Sequence, residues 1–346
     1  MNFLHYPFTE SKQPQLTRIY AEQLGFSPEF NFLFPDILMP TVAYHHGVDK
    51  ENWNDEIQDL VIYCREHQID TLYLFWNVDD YVKLNLTGID WKIIYPVPVN
   101  WDPVQQHGIG SHVGIMGTLV STLEFLPPNI PYQLFISNPQ SFLLPKLNTE
   151  NSMAIAIIRN KRMNIFSHGP FIYNLAKKGL GSKIKSYLQI ATALGMKGVV
   201  FHVGKSVDLS YQEALNNMRE NILEGLEDGL CKFILETPAS QGTEMLSNFF
   251  YFLQFASEIY AIHKNFTICI DSMHVFACNY DPYHYLKHCL NSGCPVALIH
   301  YNDSIPGWGS KKDRHARINE GKIPWIFLEK MAKLASENHI PMVTEF

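Results

Sequence analysis

From about residue 106 to its end the chain repeats one pattern: a short apolar run of strand type, then a stretch with helical spacing. A short strand leads into GSHVG (110–114). The runs that follow are YQLFIS (132–137), MNIFSH (163–168), GVVFHVG (198–204), KFILE (232–236), FTICID (266–271), PVALIHY (295–301) and IPMVTEF (340–346). Between them lie helical stretches at 182–194, 211–229, 244–263, 282–290 and 325–338. The first carries Ile184, Tyr187, Leu188, Ala191 and Leu194 on one face. Strands joined through helices pair in parallel, since a tight hairpin joins only antiparallel neighbours. Strands of such a sheet are buried on both faces, so they read as continuous apolar runs. Eight of them predict a closed (β/α)8 TIM barrel over residues 106–346.

Residues 1–105 predict a small α/β domain ahead of the barrel, with a junction at NWDPVQQ (100–106). Residues 1–30 show no firm period. Residues 51–67 carry Ile57, Leu60, Val61 and Cys64 at helical spacing, with Asp49 or Asn54 as the cap. TLYLFW (71–76) and WKIIYPVPV (91–99) read as strands, and His45–His46 as a pair in a loop.

The chain has 346 residues, of which 46% are hydrophobic and 18% charged, as in a globular protein. The start, MNFLHYPFTESKQ, lacks the apolar run of a signal peptide, and no stretch is long enough to span a membrane. The expectation is an intracellular monomer, cytoplasmic or nuclear, without a membrane partner. The six cysteines show no C-x-x-C spacing and read as reduced structural thiols. The net charge of −7 is unevenly spread. Residues 1–105 carry 6 Lys/Arg against 15 Asp/Glu, and residues 106–346 carry 21 against 19. The barrel is therefore the mildly basic part.

The strand ends concentrate metal-capable side chains. His168 ends the third strand, His202 lies near the end of the fourth, and Glu236 ends the fifth. Asp271 ends the sixth with His274 three residues on, His300 ends the seventh, and Glu345 ends the eighth. The loop after the seventh strand, HYNDSIPGWGSKKDRH (300–315), adds Asp313 and His315 as a D-x-H pair. In a barrel all strand C-termini open on one mouth, where active sites are built. One such residue is ordinarily a satisfied capping group. Nine together would be costly to desolvate, and metal ions are the simplest compensation. Imidazole and carboxylate suit Zn, and also accept Mn or Fe. A catalytic zinc takes about three protein ligands, so this set points to two or three ions. Ions about 3.5–4 Å apart suit phosphoester hydrolysis.

These motifs resemble endonuclease IV, the family of zinc-dependent abasic-site endonucleases of DNA base-excision repair. The likeness runs from about Gly108 to the end. It rests on HGPFIYNLA (168–176), VVFHVGKS (199–206), ILETPASQG (234–242), DSMHVFACNYD (271–281), HYNDS with GSKKDRH (300–304 and 309–315) and VTEF (343–346). The resemblance implies three zinc ions. One would be held by His168, His202 and Glu236, a second by Glu236, Asp271, His300 and Glu345, and a third by His274, Asp313 and His315. It implies a bridging hydroxide as nucleophile, with Glu345 orienting or deprotonating water. The implied product is a cut 5′ to the abasic site leaving a 3′-OH, and blocked 3′ ends of double-stranded DNA would also be removed. Phe171 and Ile172 stand where the family places an intercalating pair. Gln140, in NPQSF (138–142), stands where it often places an Arg. Asn174 and His112 are expected in or beside the pocket, and Lys311, Lys312, Arg314 and Arg317 against phosphates.

Two departures from the family stand out. No helix follows the eighth strand, so part of residues 1–105, such as the 51–67 helix, is expected to cover that strip. The acidity of this extra region suggests a protein partner or a structural role. Two other functions compete. A metal-dependent sugar isomerase or epimerase would leave the third ligand group without use. A non-catalytic damage-binding protein should have lost ligands, and all nine are present.

Overall fold

The structure, a computed structural model, describes residues 101–145, 147, 149–227 and 229–346, with the strands at 3–4, 42–46, 71–76 and 90–94. The chain divides into two compact units: Met1–Trp101 with Pro324–Ile326, and Asp102–Ile323 with Phe327–Phe346. In the first unit β1 (Phe3–Leu4), β2 (Val42–His46), β3 (Thr71–Trp76) and β4 (Asp90–Ile94) form a parallel sheet in that order. The fourth strand, Asp90–Ile94, lies ahead of Pro96 and Pro98, which offer no N–H to a ladder and are expected to end it. His45 and His46 are not in a loop. They end β2 and pair with Phe75 and Trp76, the ladder to the six-residue β3 carrying through them. The helix expected over 51–67, and with it the expected cover for the last strand, lie outside the described residues.

The second unit is the predicted barrel. Its strands are β5 (Gly110–His112), β6 (Pro131–Leu134), β7 (Asn164–His168), β8 (Gly198–Phe201), β9 (Lys232–Glu236), β10 (Phe266–Asp271), β11 (Val296–His300) and β14 (Met342–Thr344). All eight are parallel, and β14 closes on β5 through Val343↔Gly110 and Thr344↔Ser111. The first strand is GSH itself, not a run before it. A side chain at Gly110 would lie 1.6 Å from the Pro131 carbonyl oxygen, so close strand contact demands glycine there and hides the strand's composition.

The helices are α1 (Pro103–His107), α2 (Leu119–Phe125), α3 (Thr149–Asn160), α4 (Gly181–Ala193), α5 (Tyr211–Gly225), α6 (Phe249–Ile262), α7 (Ser272–Ala277), α8 (Pro282–Asn291) and α9 (Trp325–Glu337). α6 starts five residues later than its apolar pattern suggests. Asn248 is its cap, accepting from the Phe250 and Tyr251 amides, while the Glu244 carboxylate accepts from Ala239 N and Gln241 N in the preceding loop. α2, α3 and α7 are short or weakly patterned and escaped the sequence reading. A further unpredicted element lies inside 300–315: β12 (Asp303–Ser304) pairs antiparallel with β13 (His315–Ala316). This hairpin turns the loop back and returns His315 to the barrel mouth.

Phe166, Val200, Ile234, Cys269, Ala297, Leu298 and Val343 form one buried cluster. Phe201, Phe233 and Phe266 stack in series, with centroids 4.8 and 5.8 Å apart. Each fully buried ring contributes about 1.5–3 kcal/mol. Among the described residues no helix is long and apolar enough to cross a membrane. The described cysteines, Cys231, Cys269, Cys278, Cys289 and Cys294, are unpaired.

Candidate metal centre

The barrel delivers its polar residues as the strand ends require. His168, Glu236, Asp271 and His300 are the last residues of β7, β9, β10 and β11, while His202 and Glu345 directly follow β8 and β14. Register aligns them: Asp271 pairs with His300, and Glu236 with Cys269. His274 sits in α7, whose cap is Asp271, its Oδ1 accepting from His274 N at 2.8 Å.

Glu236 is the hub. Its Oε2 lies 3.1 Å from His202 Nε2 and 3.4 Å from His168 Nε2, and its Oε1 lies 2.9 Å from His300 Nδ1. His300 Nδ1 is also 2.9 Å from Glu345 Oε2 and 3.8 Å from Asp271 Oδ2. On the far side of Asp271, its Oδ2 is 3.4 Å from His315 Nε2. Three groups of donors therefore have ligand atoms within 4.8 Å of one another: His168, His202, Glu236; Glu236, Asp271, His300, Glu345; and Asp271, His274, His315. The first two coincide with the sets implied by the resemblance. In the third, Asp271 stands where Asp313 was expected. Asp313 remains adjacent, 3.5 Å from His274 Nε2 and 3.6 Å from His315 Nε2. Asp271 thus faces two groups, because it both ends a strand and caps the helix that carries His274.

Backbone carbonyls hold several of the imidazoles. His168 Nδ1 lies 2.8 Å from Gly169 O, His274 Nδ1 2.7 Å from Thr237 O, and His315 Nδ1 3.2 Å from Glu345 O. In each case Nε2 is turned toward the cluster. A carbonyl on one ring nitrogen fixes the tautomer that leaves the other as a ligand.

Burial disfavours charge on every one of these groups, and the neighbours decide the outcome. For His168 burial wins, and its pKa is lowered. For His274 burial is outweighed by Asp271, Asp313 and Glu236, which hold it well above its usual value. Burial also lowers His315, but Asp271 brings it up to about 9. Burial would raise Asp313, yet His274 and His315 bring it down to about 2. Glu236 and Glu345 are likewise held well below the carboxylate range against burial, by His300 with His202 and by His300 with His112 respectively. The carboxylates are anionic and stand ready for cations.

The residues fit metal ions on a further ground. Glu236 Oε2, His274 Nε2 and His315 Nε2 are buried and have no hydrogen-bond partner. Orphaned buried polar atoms are rare and costly, and here the Glu236 oxygen belongs to the first two donor groups and both imidazole nitrogens to the third. All three are ligand atoms of the kind zinc takes.

The centre floors a cavity of about 430 Å³ also lined by His112, Phe135, Phe171 and Phe346. Phe171 is half exposed, its ring 5.3 Å from that of His168 and 5.5 Å from that of His202. Ile172 beside it is partly buried. Gln140 is exposed in the loop whose Pro139 carbonyl accepts from Phe171 N, so this loop and Phe171 share the rim. His112 ends β5 and faces the cavity, as expected. Asn174 does not line it. Its amide accepts from Lys205 N and Ala176 N and donates to Lys205 O, clamping two loops together. Lys311, Lys312, Arg314 and Arg317 are exposed, with the Arg314 guanidinium donating to the Asp313 carbonyl.

Two buried polar residues of the centre had no place in the sequence reading. Gln133, within β6, touches His300, Glu345 and His112. Asn302 donates to Asp271 Oδ2 at 2.7 Å and accepts from Glu345 N at 2.8 Å. A polar residue inside an otherwise buried strand was the available signal for Gln133.

The family model described as a xylose isomerase-like TIM barrel matches residues 133–339. A probable endonuclease 4 from Malacoplasma penetrans (strain HF-2) is 26% identical over 262 residues, which cover 68% of this chain and 89% of that protein. A probable endonuclease 4 from Mycoplasmopsis agalactiae (strain NCTC 10123 / CIP 59.7 / PG2) is 30% identical over 207 residues, covering 53% of this chain and 68% of that protein. Among solved structures, endonuclease IV from Thermus thermophilus matches with a TM-score of 0.58 at 20% identity, over 69% of this chain and 91% of that one. That last likeness shows the shared barrel.

Proposed function

The chain belongs to the endonuclease IV family of xylose isomerase-like TIM barrels, and from that premise we propose that it is a zinc-dependent abasic-site endonuclease acting on double-stranded DNA. The cut falls 5′ to the lesion and leaves a 3′-OH, and the same site removes blocked 3′ ends. The observation that carries the reading is Glu236, one buried carboxylate shared by the His168–His202 group and the Asp271–His300–Glu345 group. A carboxylate so placed holds two cations side by side, the arrangement suited to in-line displacement at phosphorus.

The site would hold three Zn²⁺: His168, His202 and Glu236 at the first, Glu236, Asp271, His300 and Glu345 at the second, and His274 and His315 with Asp313 or Asp271 at the third. When bound, such ions polarise the phosphate and lower the pKa of water. The chain's own residues supply the rest. Glu345, anionic and held by Gln133 at its carboxylate and by Asn302 at its backbone N–H, would orient the attacking water and accept its proton. Phe171 and Ile172 form an apolar wedge at the rim, suited to the minor groove beside a flipped-out sugar. Lys311, Lys312 and Arg314 meet phosphates. Residues 1–105, with net −9, make no grip on DNA and serve a protein contact or a structural role. A sugar isomerase or epimerase on the same barrel gives the His274–His315 group nothing to do.

The test is incision of a duplex carrying one tetrahydrofuran abasic analogue, with metal content measured on the same samples. Wild type is expected to cut once, 5′ to the analogue, with about three zinc ions per chain. Glu236→Gln is expected to lose about a hundredfold or more in rate, and metal with it. No incision by fully loaded wild type would sink the reading.

A further inference from the structure

Among the described residues, Gln133 is the one fully buried side chain that reaches three polar residues of the centre without belonging to any of the donor groups. Its Nε2 donates to Glu345 Oε1 at 2.6 Å and lies 3.0 Å from His112 Nδ1. Its Oε1 lies 2.9 Å from His300 Nε2. The orientation of the amide follows from its partners. Glu345 is a carboxylate and only accepts, so the amide must turn its NH₂ there. Its oxygen then faces His300 Nε2, which must carry a proton. His300 Nδ1, beside Glu236 and Glu345, is thereby the nitrogen left to ligate. The second amide proton points at His112 Nδ1, which accepts. The proton of a neutral His112 is then on Nε2, in the residue that lines the cavity.

We propose that Gln133 is the positioning residue of the centre: its amide leaves His300 Nδ1 and Glu345 Oε2 as the ligand atoms of one metal site and turns the Nε2–H of His112 to the substrate as a donor. This rests on the proposed metal-dependent nuclease. The three interactions use both amide protons and the carbonyl, so no smaller side chain replaces them. His300 lacks the backbone carbonyl partner that orients His168, His274 and His315. Gln133 supplies the missing acceptor from β6, three strands round the barrel from β11.

The experiment compares Gln133→Met, close in volume, and Gln133→Glu with wild type. Zinc affinity is read by competition with a chromophoric chelator, and folding by thermal melts. Gln133→Met is expected to weaken one zinc ion by about 10–100-fold and leave the others unchanged, as loss of a hydrogen-bonded support does at metal sites. Gln133→Glu keeps an acceptor for His300 but sets a carboxylate against Glu345. Compared with wild type at the same pH, its zinc deficit is expected to narrow as pH falls and the new carboxyl becomes a donor, a dependence that Gln133→Met lacks. If Met abolishes folding, the pH response of the Glu variant decides alone. Lower melting temperatures with wild-type zinc affinity and an unchanged pH profile would make Gln133 a packing residue only and overturn the proposal. Because zinc affinity is read without DNA, a failure of the nuclease reading shows separately, as loaded wild type that does not cut.

Discussion

At the scale of single residues, the centre is a set of charges that depend on one another. His315 is held at about 9 by Asp271 and Asp313 at about 2 by His274 and His315, each against burial. The imidazole's raised pKa contributes stability that is full below its ordinary value of about 6.5 and is lost as pH rises through about 9. The depressed carboxyl contributes above about 3.9 and is lost only as pH falls through about 2. Zinc-stripped protein is therefore expected to melt progressively lower between pH 6.5 and 9, by about 2–4 °C for each kcal/mol lost. Zinc-reconstituted protein, its imidazoles neutral and ligated, should not decline there. Melts of chelator-treated and reconstituted samples over that range check this, and parallel curves would contradict it. The proposed ligands on or directly after strand ends were legible as letters, because an apolar run fixes where a barrel strand ends; His274, Asp313 and His315 were legible as polar residues in the segments that follow. Gln133 and Asn302 were not. Each is polar, and its place among ligands depends on neighbours 21 or more residues away in sequence.

At the scale of elements, the strand-to-helix connections hold the ligands. Gly169 directly follows His168 and donates its N–H to Val200 O at 2.7 Å, while its carbonyl oxygen holds His168 Nδ1. A Cβ at this position would lie 2.4 Å from the Phe201 ring, which is packed between Tyr173 and Phe233 and has nowhere to move. Gly169→Ala is thus expected to destabilise the barrel by about 1–3 kcal/mol through overpacking. It should also weaken the zinc ion at His168 and His202 more than the ion at His274 and His315. Denaturant unfolding with a parallel chelator titration reads both effects, and equal loss at all sites would refute the local account. Eight strands were readable because parallel strands are apolar on both faces. The β12–β13 hairpin was not, because it consists of two residue pairs fixed by tertiary packing, with Asp303 accepting from Gly321 N and Ile323 N behind it. α7 was hidden for a related reason. Its cap, Asp271, reads from sequence only as the end of a strand, and one side chain does both jobs.

At the scale of the whole molecule, charge separates the chain into an acidic first part and a barrel that is +2 before any metal is bound. Three Zn²⁺ at the mouth would more than cancel the four carboxylates that hold them, leaving Lys311, Lys312 and Arg314 on a rim of positive potential. Phosphate contacts release counterions, so each one steepens the fall of affinity with salt by about one unit of the log–log slope. On the proposed reading, Lys311→Gln and Lys312→Gln should each flatten the plot of log kcat/KM against log salt by about one unit. Lys333→Gln, exposed on α9, should leave it unchanged. Arg314 carries a second effect, since its guanidinium also donates to the Asp313 carbonyl. Arg314→Gln is expected to flatten the slope and to loosen zinc at His274 and His315, whereas the lysine variants keep their zinc. Incision rates at sub-saturating substrate over a salt series, with zinc measured on each variant, separate the two roles. Unchanged slopes for both lysines would remove Lys311 and Lys312 from the DNA interface and overturn that part of the reading.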